Sequence, residues 1–448
     1  MKKPLCVLLS VILIIFSVTA LSTTYAENIL FGDVNKDGKV TSLDLVLLRK
    51  WLVHDGTVSN KDIDREAANV SDWSKDEITL ADANRIAKYL AKMVDSLTPK
   101  EYTTIASDAQ DYTVKQMSAC MSLCGRAQFG ENNESVVLSQ TAGGFKFTAN
   151  CHGNIVINCS KVDSNCKFSV AVDGVYDNQV LADAKAEGYG AYAETNMAEG
   201  THTIEVRKAT EWSQCGKITV TGVTISGTLG TVKPAEKTHK IEVYGDSITS
   251  GYGNLTTAGT ANAGSWAYQD GTSTYAAFVA HHYNAEYAVA SASGHGILGG
   301  YNNTTATYDK YFKYNIVPDK TPWSVADYDA DLIIINFGSN DHSRTTNNNT
   351  QIDQTAFVNK ASAIVEDMHT QNPDAKILWV VGMNAVDNSR GLISALTTLD
   401  GKYDYVDFSK VTAAQSGGDW HPTIAEHKGT HTNSICNLID QKYPNMFN

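Results

Sequence analysis

YGDSITSGYG, residues 244–253, follows the apolar run Ile241-Glu-Val243, and its reading decides the architecture of the C-terminal half. An apolar strand that ends in Gly-Asp-Ser lifts a serine to the edge of a sheet. There it serves either as a nucleophile or as the cap of the next helix. The downstream pattern alternates: strands are expected at 241–244, 286–291, 331–337, 376–381 and 405–408, and helices near 274–283, 353–370 and 423–440. Such alternation builds a parallel sheet with helices on both faces, an α/β three-layer domain. Ligands bind these sheets outside the carboxyl ends of the strands, at a switch in strand order. Ser247 stands at the end of the first strand, where a site of that kind belongs.

Three more loops carry the polar groups that a serine nucleophile needs. Val289-Ala-Ser-Ala-Ser-Gly-His-Gly296 follows the second strand, Phe337-Gly-Ser-Asn-Asp341 follows the third, and Gly417-Gly-Asp-Trp-His-Pro422 precedes the last helix. Acyl transfer requires a nucleophile, a base within hydrogen-bond reach and donors aimed at the developing oxyanion. Ser247 would attack and His421 would take its proton. The N–H groups of Ser247 and Gly294, with the Asn340 amide, would hold the oxyanion. Trp420 and Tyr252 are candidates for stacking on a sugar, with Trp266 and Trp323 as weaker ones. His295 and His342 flank the oxyanion loops, and loop histidines are usually exposed. His427 and His431 have the i, i+4 spacing of two metal ligands but are expected on a surface helix.

GDSI at 245–248, SG at 293–294, GSND at 338–341 and DWHP at 419–422 together resemble the SGNH (GDSL) hydrolase family, in the family's order across the last domain. That resemblance implies a flavodoxin-like parallel sheet. With a β-sandwich directly before it, the chain is more narrowly similar to carbohydrate esterase family two. Members of that family remove O-acetyl groups from plant-wall polysaccharides without a metal. The superfamily usually places an acid three residues before the histidine, but Gly418 stands there and Asp419 is one residue closer. Either Asp419 or a backbone carbonyl would therefore orient His421.

From about residue 100 to 226 the apolar period is two. Short strands are expected at 145–148, 154–158, 168–172, 201–206 and 217–220, punctuated by Gly, Asn and Asp. Several short alternating strands in this length indicate an all-β sandwich, a jelly roll.

Residues 33–44, DVNKDGKVTSLD, are different again. Asp33, Asn35 and Asp37 supply oxygens at alternate positions, Gly38 permits the sharp turn, Lys39 offers its carbonyl and Asp44 closes the loop, a pattern suited to Ca²⁺. A helix with Leu43, Leu47, Leu48, Trp51 and Leu52 follows. A second loop–helix unit lies at 69–91, where Asp82 aligns with Asp44. Its loop is degraded: plain register puts Lys75 among the ligands, and an insertion would recruit Asn69, Ser71 and Asp76 or Asp72 instead. The two units resemble a dockerin, a small all-α, EF-hand-like module. The resemblance implies docking to a cohesin module of a cellulosomal scaffoldin through Ser42, Leu43, Arg49 and Lys50.

The expected organisation is a signal peptide at 1–26, a calcium-binding module at 27–97, the sandwich at 98–236 and the hydrolase domain at 237–448. Lys2 and Lys3 before an apolar run, with small residues at 24–26, mark an export signal. Its loss takes the net charge from −13 to −15, a poor balance for binding nucleic acid or an anionic membrane. Seven cysteines remain after the signal, five of them within 120–166, without zinc-site spacing. An odd number leaves at least one thiol free or intermolecular. The expected function is that of a secreted esterase acting on acetylated polysaccharide; a lipase on the same fold and a non-catalytic carbohydrate-binding component are the alternatives.

Overall fold

The computed structural model describes residues 30–54, 56–68, 70, 78, 80–92, 109–186, 190–347, 352–380 and 416–448. The expected signal segment, the second-loop residues Asn69, Ser71, Asp72, Lys75 and Asp76, and the strand expected at 405–408 lie outside them. The chain divides into two compact units, Met1–Thr104 and Ile105–Asn448.

In the first unit the acidic loop leads into the helix Ser42–Leu52, whose start is a capping box. The Asp44 carboxylate accepts the Thr41 N–H at 2.8 Å and the Asn35 N–H at 3.2 Å, so one buried acid both starts the helix and closes the loop. Asp33 accepts the N–H groups of Asp37 and Gly38. Val34 and Leu48 pack with Ile63, Ala68, Val70, Ile78, Ala83 and Ile86, the last two from the helix Leu80–Leu90. The pairs Gly32 N–H to Ala67 O and Asp64 N–H to Val34 O tie the two halves together.

In the second unit, β1 (Ala109–Thr113), β2 (Met121–Cys124), β3 (Ala127–Phe129), β4 (Val136–Leu138), β5 (Gly144–Val162), β6 (Cys166–Val172), β7 (Val175–Ala184), β8 (Gly190–Lys208) and β9 (Ile218–Leu229) form one sheet whose strand pairs are antiparallel. Its centre is not a set of short strands. The strands expected at 145–148 and 154–158 are one 19-residue strand, β5 (Gly144–Val162), paired with β8 (Gly190–Lys208) on one side and β9 (Ile218–Leu229) on the other. Register shifts around Gly153, at φ +74, bend β5 without ending it. Alternation therefore breaks in the sequence while the ladder continues in space. The seven cysteines outside the first 26 residues are all buried free thiols, and burial raises the pKa of Cys151, Cys159 and Cys166.

The strands β10 (Lys240–Gly245), β11 (Glu286–Ser291), β14 (Leu332–Asn336) and β15 (Lys376–Trp379) form a parallel sheet in the order β11-β10-β14-β15, while the short β12 (Tyr314–Ile316) and β13 (Thr321–Pro322) pair with each other. Leu332 and Ile334 face the helices Tyr275–His282 and Thr432–Lys442, whereas Ile333 and Ile335 face the helix Gln354–Gln371. That makes three layers. The chain leaves β10 for one neighbour and later returns on its other side, so the switch in strand order falls at the end of β10, beside Ser247.

The antiparallel sheet packs on this domain through buried charge. Arg126 pairs with Glu242 at 2.9 Å with both side chains fully buried. Lys146 and Arg207 both pair with Glu286. Burial opposes charge on Glu286, but the two cations outweigh it and hold its carboxyl at about 2. Gln179 donates to Thr272 and Ser273.

Candidate active site

Gly245 ends β10 against Thr249 and Asn336; a Cβ there would lie 2.0 Å from Thr249 Oγ1. The backbone can thus turn tightly into the one-turn helix Ser247–Ser250, with Asp246 accepting the Ile248 N–H at 3.0 Å. Ser247 is buried, at 8% exposure. Its Oγ lies 2.8 Å from His421 Nε2.

His421 arrives on a strained turn. Asp419 and Trp420 are successive non-glycine residues with positive φ, +49 and +65, a conformation that costs energy and persists only where its surroundings impose it. The turn brings the Asp419 carbonyl to 3.0 Å from His421 Nδ1. A carbonyl only accepts, so Nδ1 carries the proton and Nε2 presents its lone pair to Ser247. The Asp419 carboxylate points elsewhere and accepts the Tyr252 hydroxyl at 2.8 Å. An acid in the usual place does not fit: a Cβ on Gly418 would sit 2.3 Å from the Ala263 Cβ. Of the two groups left open by the sequence, the carbonyl is the one that lies within hydrogen-bond distance of His421 Nδ1.

Burial lowers the His421 pKa, only partly offset by the carbonyls of Asp419 and Gly418 and the carboxylates of Asp419 and Glu211. The imidazole stays neutral, and able to accept a proton, below the usual histidine range. Asp419→Asn should therefore cost less than about tenfold in kcat on 4-nitrophenyl acetate. A loss of roughly 10⁴, the size seen when a triad aspartate is neutralised, would restore the carboxylate to the orienting role.

Opposite the serine, Gly294 has φ +75 with open space where a Cβ would stand. Among the described residues no acceptor lies on the N–H groups of Ser247 or Gly294. Asn340 Nδ2 donates to Asp246 Oδ2 at 3.1 Å and to the His295 carbonyl at 3.0 Å. Asp341, next in the chain, anchors the N–H groups of Ile297 and Leu298. The structure thus brings Ser247, His421, Gly294 and Asn340 together.

The remaining expected site residues divide. Trp420 is 61% exposed beside the histidine, an open aromatic face. Tyr252 is not open in that way: its ring lies 4.4 Å from that of His421 and its hydroxyl is committed to Asp419. Trp323 is structural, donating to Glu242, and Trp266 lies under Lys167 and Lys185. His295 is half-buried, stacked edge-on against Trp212 and Tyr311. His427 and His431 are not on a surface helix: both are buried, in a π-helical turn spanning His427–His431. The wider turn rotates the pair inward, and the His427 Nδ1 accepts the Tyr275 N–H. Two groups were missed in the sequence: exposed Tyr301, whose N–H bonds the Gly294 carbonyl, and buried Glu211, which reaches the Gly294 loop. Neither carries a motif that spacing alone could find.

Two family models match the chain. Residues 243–434 match the GDSL-like lipase/acylhydrolase family and residues 31–91 the dockerin type I domain. The chain is similar to the cellulase/esterase CelE of Acetivibrio thermocellus, 28% identical over 250 residues, which is 52% of this chain and 29% of that protein. It is also similar to an acetylxylan esterase/glucomannan deacetylase of Cellvibrio japonicus, 22% identical over 303 residues, covering 65% of this chain and 79% of that one. Among solved structures, a family two carbohydrate esterase from Clostridium thermocellum in complex with cellohexaose superposes with a TM-score of 0.62 at 23% identity, over 72% of this chain and 99% of that chain. An acetyl xylan esterase from Butyrivibrio proteoclasticus gives 0.60 at 17% identity, over 75% and 99%. The antiparallel and parallel sheets of the second unit thus share the fold of these solved structures, while residues 243–434 match the GDSL-like lipase/acylhydrolase model and residues 31–91 match the dockerin type I model.

Proposed function

We propose that this chain is a secreted carbohydrate esterase that removes O-acetyl groups from plant cell-wall polysaccharides such as xylan and glucomannan. The carrying observation is the 2.8 Å contact of Ser247 Oγ with a His421 whose other nitrogen is held by a carbonyl. Ser247 Oγ attacks the acetyl carbon while His421 Nε2 takes its proton. The tetrahedral oxyanion is met by the N–H groups of Ser247 and Gly294 and by Asn340, which gives up the His295 carbonyl to donate. Collapse expels the sugar hydroxyl, protonated by His421, and leaves an acetyl-serine. Water, deprotonated by the same imidazole, then releases acetate.

Polysaccharide is favoured as substrate by the exposed aromatic groups Trp420 and Tyr301, whose faces suit the flat side of a sugar ring. The similarity to named polysaccharide deacetylases points the same way. The bent nine-stranded sheet is read as a jelly-roll support for this site. Acetate release from acetylated xylan and glucomannan, compared with hydrolysis of a long-chain acyl ester, tests the assignment. Faster turnover of the long-chain ester would replace it with a lipase.

The dockerin supports a cohesin of a cellulosomal scaffoldin as partner. Ser42, Leu43, Arg49 and Lys50 are exposed on the helix Ser42–Leu52, and Leu43, Val46 and Val53 extend them into an apolar stripe. Among the described residues no helix is long and apolar enough to cross a membrane.

The loop suits calcium in its donor chemistry: Asp33, Asn35, Asp37, the Lys39 carbonyl and Asp44 are hard oxygens at alternate positions, and two of the acids are buried. No group of three His, Cys, Asp or Glu side chains converges as a metal cluster among the described residues, so the fit rests on the mixed side-chain and carbonyl set. Bound there, the ion would neutralise the loop's acids and cross-link its turns. Chelation, or Asp33→Ala with Asp37→Ala, should unfold the module and abolish cohesin binding while leaving ester hydrolysis unchanged. Circular dichroism and cohesin pull-down with and without EDTA read the first effect. Loss of hydrolysis in EDTA would sink the separation of roles.

A further inference from the structure

Glu211 is fully buried, stands just past β8 as the residue before the short helix Trp212–Cys215, and reaches the loop that follows β11. Its Oε2 accepts the Ser293 N–H at 2.6 Å, and its Oε1 accepts Gln269 Nε2 at 3.2 Å. The Glu211 N–H donates in turn to Gln269 Oε1 at 2.9 Å. Among the described residues no cationic side chain pairs with this carboxylate. Lys208, the nearest buried cation in the chain, spends its ammonium on the carbonyls of Thr210 and Glu211. A carboxylate buried without a counter-ion is expensive.

What Glu211 holds is the residue before Gly294. The Ser293 N–H is fixed by Glu211, the Ser293 carbonyl by His295 Nδ1 at 2.9 Å, and the Gly294 carbonyl by the Tyr301 N–H at 2.9 Å. Because a peptide unit is planar, anchoring the Ser293 carbonyl on one side points the Gly294 N–H to the other. With φ +75 and no Cβ, Gly294 has no steric wall of its own to hold that direction. We infer that Glu211 is a positioning residue for the oxyanion donor at Gly294, so that the antiparallel sheet is part of the catalytic centre rather than a separable module. This rests on the esterase reading above.

The test uses the full chain and two variants. Glu211→Met keeps the volume but removes the acceptor of the Ser293 N–H and of the Gln269 amide, which costs some stability, so a thermal melt checks that the variant folds. Glu211→Gln keeps an acceptor oxygen. With 4-nitrophenyl acetate, Glu211→Met should lose roughly 10- to 10²-fold in kcat, below the full cost of one oxyanion donor, with KM within about twofold. Inhibition by phenylboronic acid, whose tetrahedral adduct on Ser247 needs the same donors, should weaken by the same factor. Glu211→Gln should recover most of both. A folded Met variant with unchanged kcat overturns the inference, as does a fall in kcat without weaker boronate inhibition. A Met variant that unfolds assigns Glu211 to stability alone and also overturns it. A wild-type chain that neither hydrolyses the ester nor binds the boronate defeats the esterase reading itself, and this inference with it.

Discussion

Ser247→Ala is expected to lower kcat on acetyl esters by about 10⁴-fold or more, with the fold intact. The small side chain makes one hydrogen bond, to His421, and belongs to neither hydrophobic core of the domain. Its loss removes the atom that forms the covalent intermediate, and what survives is binding and oxyanion stabilisation acting on water. His421→Ala should be nearly as damaging, and the double variant scarcely worse than either, because the pair acts as one unit. Steady-state rates on 4-nitrophenyl acetate, with thermal melts as a control for folding, decide the matter. More than about a tenth of the wild-type rate in Ser247→Ala would end the assignment of the nucleophile.

The second large effect concerns stability. Arg126→Ala should destabilise the second unit by about 3–5 kcal/mol, the usual cost of stranding one partner of a buried ion pair. Arg126 lies between the rings of Tyr244 and Trp323, donates to the carbonyls of Phe312 and Tyr314, and meets Glu242 at 2.9 Å. Burial already pushes the Glu242 carboxyl up, and Arg126 is the main charge opposing that shift. Removing the guanidinium leaves the buried acid with the Trp323 N–H but no counter-charge, and takes a donor from the carbonyls of Phe312 and Tyr314. Arg126→Met with Glu242→Leu should recover much of the loss, since no charge then remains to be stranded. Denaturant titration reads both. A loss under about 1 kcal/mol for Arg126→Ala would mean that the interface is wetter and looser than the structure shows.

The legible parts were those with a local signal. The continuous apolar run Leu332–Ile335 and the Gly-Asp-Ser turn report themselves because a short apolar run and turn chemistry are set by neighbours in the chain. The bend in β5 hid for the opposite reason: a bulge at Gly153 breaks the alternation, while the hydrogen bonds that continue the strand come from β8 and β9. His427 and His431 were misplaced because the helical wheel assumes 3.6 residues per turn, and the π-helical turn departs from it.

Legible in the bare sequence was a set of candidate groups: a serine, a histidine, a glycine and an amide at loop positions, and an acidic loop of hard oxygens. Those are properties of residue type and spacing. Only the tertiary structure decided how they are aimed. The Asp419 carbonyl rather than its carboxylate faces His421, since Gly418 is pressed against Ala263 and two residues are forced to positive φ. Glu211 reaches Ser293, 82 residues away, through the packing of one sheet on another. Contacts of that kind depend on where long-range packing places each backbone, and no local pattern of side chains encodes them.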